Sequence, residues 1–322
     1  MKSFLSIGEA LIDFIPSISD TDLKDVPSFT RVVGGAPANV CGAIAKLGGK
    51  ASLVTQLGND AFGNHIIDVL LNANVDISYI KRSDAYDTSL AFVTLAANGQ
   101  REFKFYRKTA ADLFYDAKYI EEIDLTNVGM VHFCSVDLIE SKMKQAHYRL
   151  LNTAIDHHIP ICFDPNLRLF LWDDQNRLKT TVHEFIPYAS VLKIADDELE
   201  FICNTNDIEV ALPQLMVGNV KIVILTRGSK GASIYTKIGI YHHCGYSVNA
   251  IDTTGAGDAF IGAFIYCFLA SNYTDVMEIS AADYSRYLAF CNAYAATVTL
   301  SKGALAAMVS YDEFINGGIY EQ

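Results

Sequence analysis

No Cys-x-x-Cys pair occurs among the seven cysteines at 41, 134, 162, 203, 244, 267 and 291, and their number is odd. A disulfide framework therefore has no support, and thiols that mostly sit among apolar neighbours read as reduced and buried in a cytoplasmic protein. Basic residues are scarce, with 25 Lys and Arg against 37 Asp and Glu and a formal net charge of −12. Neutralising nucleic-acid phosphates needs clustered cations, so a nucleic-acid partner is not expected. Long apolar runs are missing as well. The opening Met1-Lys2-Ser3-Phe4-Leu5-Ser6-Ile7 is briefly apolar, but Glu9 and Asp13 interrupt it before a signal-peptide core or a membrane span is long enough. No targeting segment and no membrane partner are expected. There is no Walker loop, and no Gly-x-Gly-x-x-Gly turn follows a strand, which disfavours a dinucleotide-dependent oxidoreductase.

With 322 residues and 51% hydrophobic content, the chain suits one large domain or two small ones and buries about three quarters of its extended surface. Short β-branched or aromatic runs at 3–8, 51–57, 128–133, 159–164, 190–195 and 221–226 alternate with longer helical patterns. That alternation predicts an α/β fold with a mostly parallel sheet flanked by helices. Pro37 suits the first turn of a helix to about Leu47, stopped by Gly48-Gly49, and a hairpin is predicted near 231–247. One segment breaks the alternation: Thr88–Ala96 and Arg101–Arg107 flank Asn98-Gly99, a strong hairpin signal. Together with 11–16 and 27–33 it predicts a small separate sheet.

The most informative stretch is Asp252-Thr253-Thr254-Gly255-Ala256-Gly257-Asp258-Ala259-Phe260, which opens an apolar run reading as a buried helix. Gly255 and Gly257 allow close backbone approach, and the amides of Gly255, Ala256 and Gly257 at a helix N-terminus suit a transferring phosphoryl group. Asp258 is a poor phosphate ligand by charge but a chemically sensible acceptor for a proton leaving a hydroxyl. It is equally well placed simply to favour the helix N-terminus, and the stretch by itself leaves both readings open.

This stretch resembles the C-terminal signature of the ribokinase, or PfkB, family of sugar kinases. Gly34-Gly35-Ala36-Pro37-Ala38-Asn39, Ala45-Lys46-Leu47-Gly48 and Gly58-Asn59-Asp60-Ala61-Phe62-Gly63 resemble the N-terminal signature. Asp164-Pro165-Asn166-Leu167-Arg168 with Leu171-Trp172, Thr226-Arg227-Gly228 with Gly231, and Lys302-Gly303-Ala304 follow in the family's order; the first of these looks most like the fructokinases. The resemblance implies a ribokinase-like fold, with residues 1–10, 34–86 and 108–322 as the main domain. It implies that 11–33 and 87–107 form a β lid over the sugar, and that two copies meet as a homodimer through that lid. By position it implies sugar contacts from Asp13, Gly34, Gly35 and Asn39, with Arg168 and a downward-reaching Arg107 as donors. For ATP it implies Thr226, Gly228, Gly231, Asn292 and Ala295, with Lys193 reaching the phosphates. Glu198 matches an acid that organises Mg²⁺ through water, although Ala195 replaces the family's Asn. Asp252, Thr254 and the backbone around Val298, Ser301 and Gly303 resemble a monovalent-cation site for K⁺, and Ala307 replaces a Ser ligand there.

The expected activity is ATP-dependent phosphorylation of a sugar primary hydroxyl, with Asp258 as base, the three amides as an anion hole and fructose as the preferred acceptor. 2-Keto-3-deoxygluconate and aminoimidazole riboside are rival acceptors. A sugar or nucleotide sensor that does no chemistry is a reading of another class; the intact Gly255-Ala256-Gly257-Asp258 counts against it.

Overall fold

The computed structural model describes residues 1–18, 20–95, 101–271 and 273–320. Its strands are β1 (Ser3–Ile7), β2 (Leu11–Pro16), β3 (Phe29–Gly34), β4 (Ala51–Gly58), β5 (Ile80–Ser83), β6 (Leu90–Leu95), β7 (Arg101–Tyr106), β8 (Val128–Cys134), β9 (Ile161–Asp164), β10 (Val191–Ala195), β11 (Ile222–Thr226), β12 (Ala232–Thr236) and β13 (Gly239–His243). Its helices are α1 (Ala36–Lys46), α2 (Ala61–Asn72), α3 (Lys142–Asp156), α4 (Gln175–Phe185), α5 (Asp196–Cys203), α6 (Ile208–Leu215), α7 (Ala256–Ala270), α8 (Ala281–Val298) and α9 (Tyr311–Asn316). All six expected core strands form. β9 starts at Ile161 rather than at 159, where Pro160 has no amide to give a ladder. β5 was not anticipated, because its sequence Ile-Lys-Arg-Ser is that of a polar edge strand.

The main sheet runs β13-β12-β11-β10-β9-β8-β1-β4-β5. Pairing is parallel from β5 through β11 and antiparallel from β11 to β13. Every residue of β4 and β8 is buried, which is why these strands read as continuous apolar runs: helices cover both faces of a parallel sheet. The chain places β4 on one side of β1 and later β8 on the other, so the strand order reverses at β1. A crevice beyond the carboxyl ends of strands at such a reversal is where open α/β sheets hold ligands.

The second sheet runs β3-β2-β6-β7. β2 pairs antiparallel with β3 and β6 antiparallel with β7, while the central β2–β6 pair is parallel. The Asn98-Gly99 turn lies outside the described residues. Period-two alternation gives β2 two uses: Leu11, Asp13 and Ile15 face a large cavity, whereas the Phe14 ring stacks on Phe92 at 4.6 Å on the other face.

Helices α1 and α7 approach closely because small residues meet. A Cβ on Gly262 would stand 2.7 Å from Ala43 Cβ. Asn39 and Asp258 lie four residues before Ala43 and Gly262, one turn toward each N-terminus, so this contact also sets the spacing of two site residues. Among the described residues no helix is long and apolar enough to cross a membrane. All seven cysteines are free; Cys244 is exposed and Cys267 half-buried, which corrects the expectation that the thiols are buried. Cys244 follows β13, the last strand in the order of the main sheet.

Candidate active site

Two cavities open at the carboxyl edge of the sheet. The larger, about 580 Å³, lies between the main sheet and the small sheet, and takes in Glu9, Asp13, Asn39, Arg168, Lys193 and Asp258. The second, about 250 Å³, takes in Thr226, Gly228, Gly231, Asn292 and Ala295. Thr253 and Gly257 line both. The cavities therefore meet at the turn that starts α7.

That turn is built by Gly255, whose φ of 78° is left-handed and favours glycine. A Cβ there would also stand 2.7 Å from Ala304 Cβ. The Ala256 amide donates to the Thr253 carbonyl at 3.2 Å, whereas among the described residues no backbone acceptor takes the amides of Gly255 and Gly257. Of the three amides expected to form a cradle, that of Ala256 also serves the turn itself.

Asp258 sits in the first turn of α7 and is 7% exposed. Its Oδ2 accepts from Asn39 Nδ2 at 2.8 Å and its Oδ1 from Asn166 Nδ2 at 3.2 Å. Burial raises its affinity for a proton above that of an ordinary aspartate, and the two amides with Arg168 and Lys193 hold the rise in check. Asn166 belongs to the Asp164–Arg168 motif, and nothing in its local sequence marks it as a site residue. Its φ of 44° is a conformation that asparagine tolerates, and this turns the amide toward Asp258.

Lys193 pairs with Asp164 at 2.9 Å, both buried. A Cβ on Gly257 would stand 3.2 Å from Lys193 Nζ, so the ammonium lies directly under the turn. The carboxylates of Asp164 and Glu198 raise its proton affinity further, against the opposing effect of burial. Glu198 accepts from the amides of Leu167 at 2.6 Å and Ala195 at 2.9 Å and lines the larger cavity.

On the small-sheet side, a Cβ on Gly34 would stand 2.1 Å from Asp13 Oδ2, so glycine there gives the carboxylate its place. Gly35, with φ 102°, turns the chain into α1, and its own Cβ would stand 2.5 Å from the Glu9 carbonyl. Arg168 lines the cavity and donates to the Leu167 carbonyl at 3.2 Å. Arg107 departs from expectation. It does not line the cavity but lies buried, donating to Asp112 at 2.6 Å, to Asp137, and to Ser89 Oγ at 3.1 Å. Two carboxylates within reach of one guanidinium outweigh a neutral sugar hydroxyl as partners. Sequence reasoning also missed Glu9, which lines the cavity while its Oε1 accepts from the Ala36 amide at 3.0 Å. Burial and the Asp137 carboxylate push its pKa up to about 8.

Asn292 Nδ2 donates to the Leu288 carbonyl at 2.8 Å within α8, and Ala295 follows one turn later along the second cavity. Beside the α7 turn, Asp252 Oδ1 accepts from Thr254 N at 3.0 Å and Thr254 Oγ1 at 2.6 Å, and Oδ2 accepts from Gly303 N at 3.0 Å. Ser301 N reaches the Val298 carbonyl at 3.3 Å. Asp252 thus ties the turn before α7 to the loop that follows α8.

Residues 1–310 match the sequence profile of the pfkB family carbohydrate kinases. The chain belongs to that family. Membership makes it a sugar kinase. Among pfkB relatives, it is 36% identical over 311 residues to probable fructokinase-4 of Arabidopsis thaliana, covering 96% of this chain and 94% of that one. Its structure is similar to that of a fructokinase with bound ATP from Xylella fastidiosa, with TM-score 0.90, 28% identity, and 100% and 99% of the two chains covered. A fructokinase from Vibrio cholerae O395 in a fructose, ADP and calcium ion bound form matches with TM-score 0.86 and 30% identity over 98% of each chain.

Proposed function

We propose that this chain transfers the γ-phosphoryl group of ATP to a primary hydroxyl of fructose. The meeting of the two cavities at Thr253 and Gly257, with Asp258 on the acceptor side, carries the reading. ATP in the smaller cavity, flanked by Gly228, Gly231, Asn292 and Ala295, would extend its phosphates to that junction. The sugar in the larger cavity would be held by Asp13, Asn39 and the Gly34-Gly35 turn. Asp258 accepts the hydroxyl proton as the new O–P bond forms and the bond to the ADP oxygen breaks. The amides of Gly255 and Gly257, the α7 dipole and Lys193 then face the charge that builds on the transferring group.

Mg²⁺ supplies neutralisation of phosphate oxygens when bound. Glu198 and Asp197 line the cavity and fit an outer-shell role for an ion that retains several waters. Asp252, Thr254 and the backbone at Val298, Ser301 and Gly303 would hold K⁺ beside the turn; Ala307 offers no hydroxyl to it. The aromatic face of the small sheet opposite the cavity, where Phe14, Phe29 and Phe92 pack together beside Phe62 of α2, supports the reading of that sheet as a lid that pairs with a second copy in a homodimer.

The charge balance of the larger cavity favours a neutral acceptor. Asp13, Asp197, Glu198 and Asp258 face Arg168 and a Lys193 already paired with Asp164, while Glu9 holds its proton and Arg107 is withdrawn. A keto-acid would bring a further carboxylate into this surplus. ADP release from an equimolar mixture of fructose, 2-keto-3-deoxygluconate and aminoimidazole riboside tests the assignment. Fructose should be consumed first. Preferential use of either rival overturns the acceptor, and so does an absence of ADP release with all three.

A further inference from the structure

The larger cavity has an apolar wall that the catalytic reading leaves unused. Along β7, Phe105 turns toward the cavity while its neighbours Lys104 and Tyr106 are exposed, as period-two alternation requires. From the main body, Phe170 stands on the short helical turn Leu169–Leu171, directly after Arg168. The two rings stack with centroids 5.6 Å apart and planes at 12°, and both line the cavity. Phe170 is 48% exposed, so the stack lies at the cavity's solvent edge. Val93 and Ile15 extend the same apolar wall from the small sheet.

We propose that Phe105 and Phe170 are specificity-determining residues: they close the acceptor cavity around a compact monosaccharide and keep water from the phosphoryl group. The proposal rests on the kinase reading above. A stacked pair spanning the small sheet and the main body leaves no gap where the rings meet. The acid side, with Asp13 and Asn39, offers hydrogen bonds to hydroxyls, and the ring side offers only carbon to a sugar's C–H face. A furanose has one face of each kind. A ribonucleoside carries a flat base beyond its furanose ring, and that base would need the volume the rings occupy. Water exclusion follows from the same contact, because a solvent molecule beside the γ-phosphate competes with the hydroxyl as nucleophile.

Phe170→Ala and Phe105→Ala test this, with Phe170→Tyr as the conservative control. Three rates are read for each: fructose phosphorylation, phosphorylation of inosine, and ATP hydrolysis without acceptor. For Phe170→Ala, the fructose-to-inosine ratio of kcat/KM should fall by roughly 10- to 200-fold, the range that apolar pocket contacts can enforce. Acceptor-free hydrolysis should rise by about 10-fold, as a lid's role in excluding water implies. Phe170→Tyr, which keeps the stack, should restore both values. Phe105→Ala should act in the same direction. Selectivity and acceptor-free hydrolysis within twofold of wild type in both Ala variants would overturn the proposal even if fructose turnover dropped, because a merely structural role lowers all three rates together. A wild-type chain inactive on fructose would instead overturn the fructose reading and the inference with it.

Discussion

Replacing Asp258 by Asn keeps the size of the side chain and removes the group proposed to take the hydroxyl proton. Loss of a general base should lower kcat by roughly 10²- to 10⁴-fold, which is about 2.7 to 5.4 kcal/mol at 1.36 kcal/mol for each factor of ten. The structure bounds the competing effects. Asp258 accepts from Asn39 at 2.8 Å and from Asn166 at 3.2 Å. An amide at 258 would face one of these donors with a donor of its own, losing one hydrogen bond to a charged group, about 1.5 to 3 kcal/mol. Burial already disfavours the Asp258 carboxylate, and removing that charge returns part of this cost. The melting temperature should therefore move by no more than a few degrees. KM for fructose and for ATP should change by much less than kcat. The acid limb of the kcat/KM profile of the native chain should lie above the ordinary aspartate range, in the direction that burial pushes Asp258, and should vanish in the variant. Steady-state ADP release with calorimetric binding of each ligand measures all of this. Turnover within threefold of wild type would return Asp258 to the role of a helix N-terminal charge.

Gly257→Ala would place a Cβ 3.2 Å from Lys193 Nζ, on the wall that both cavities share. Activity should fall by roughly 10²-fold because the added methyl keeps the phosphoryl group from the intact amide, an effect comparable to losing one anion-hole donor, while helical Ala for Gly adds about 0.5 to 1 kcal/mol of stability; kinetics with thermal melts would show this opposition, and parallel changes would refute it. Glu9 holds its proton up to about pH 8, above the ordinary 4.5, because burial and Asp137 disfavour its charge. The folded chain then binds more protons than the unfolded one across that window, so stability is full below pH 4.5 and falls as pH rises toward 8. The slope reaches about 1.4 kcal/mol per pH unit for one proton. Glu9→Gln should flatten the decline in melting temperature between pH 5 and 8, Asp137 supplying what remains; an unchanged slope would refute it.

Much of this architecture follows from local pattern. Burial of β4 and β8 on both faces writes itself as unbroken apolar runs, and Pro37 with Gly48-Gly49 marks where α1 starts and stops. The Gly255-to-Asp258 turn was legible for the same reason: a left-handed residue followed by a buried helix needs glycine and then apolar residues. Period-two alternation in β2 put Asp13 on the face opposite Phe14. Each of these constraints acts between residues that are near in sequence.

What escaped the sequence depends on distance in space. Arg107 reads as a donor for the sugar until Asp112 and Asp137 are found beside it, and nothing at position 107 announces that a carboxylate thirty residues on will occupy the guanidinium. Asn166 and Glu9 became site residues only when their elements met α7 and α1, and the stacking of Phe105 on Phe170 joins the small sheet to a helical turn of the main body. The commitment of the Ala256 amide to Thr253 likewise depends on the realised turn and not on residue type. Local pattern determined the sheet, the turn and the family. Tertiary packing decided which charged side chains still face the cavity, because partners far apart in the chain compete for each of them.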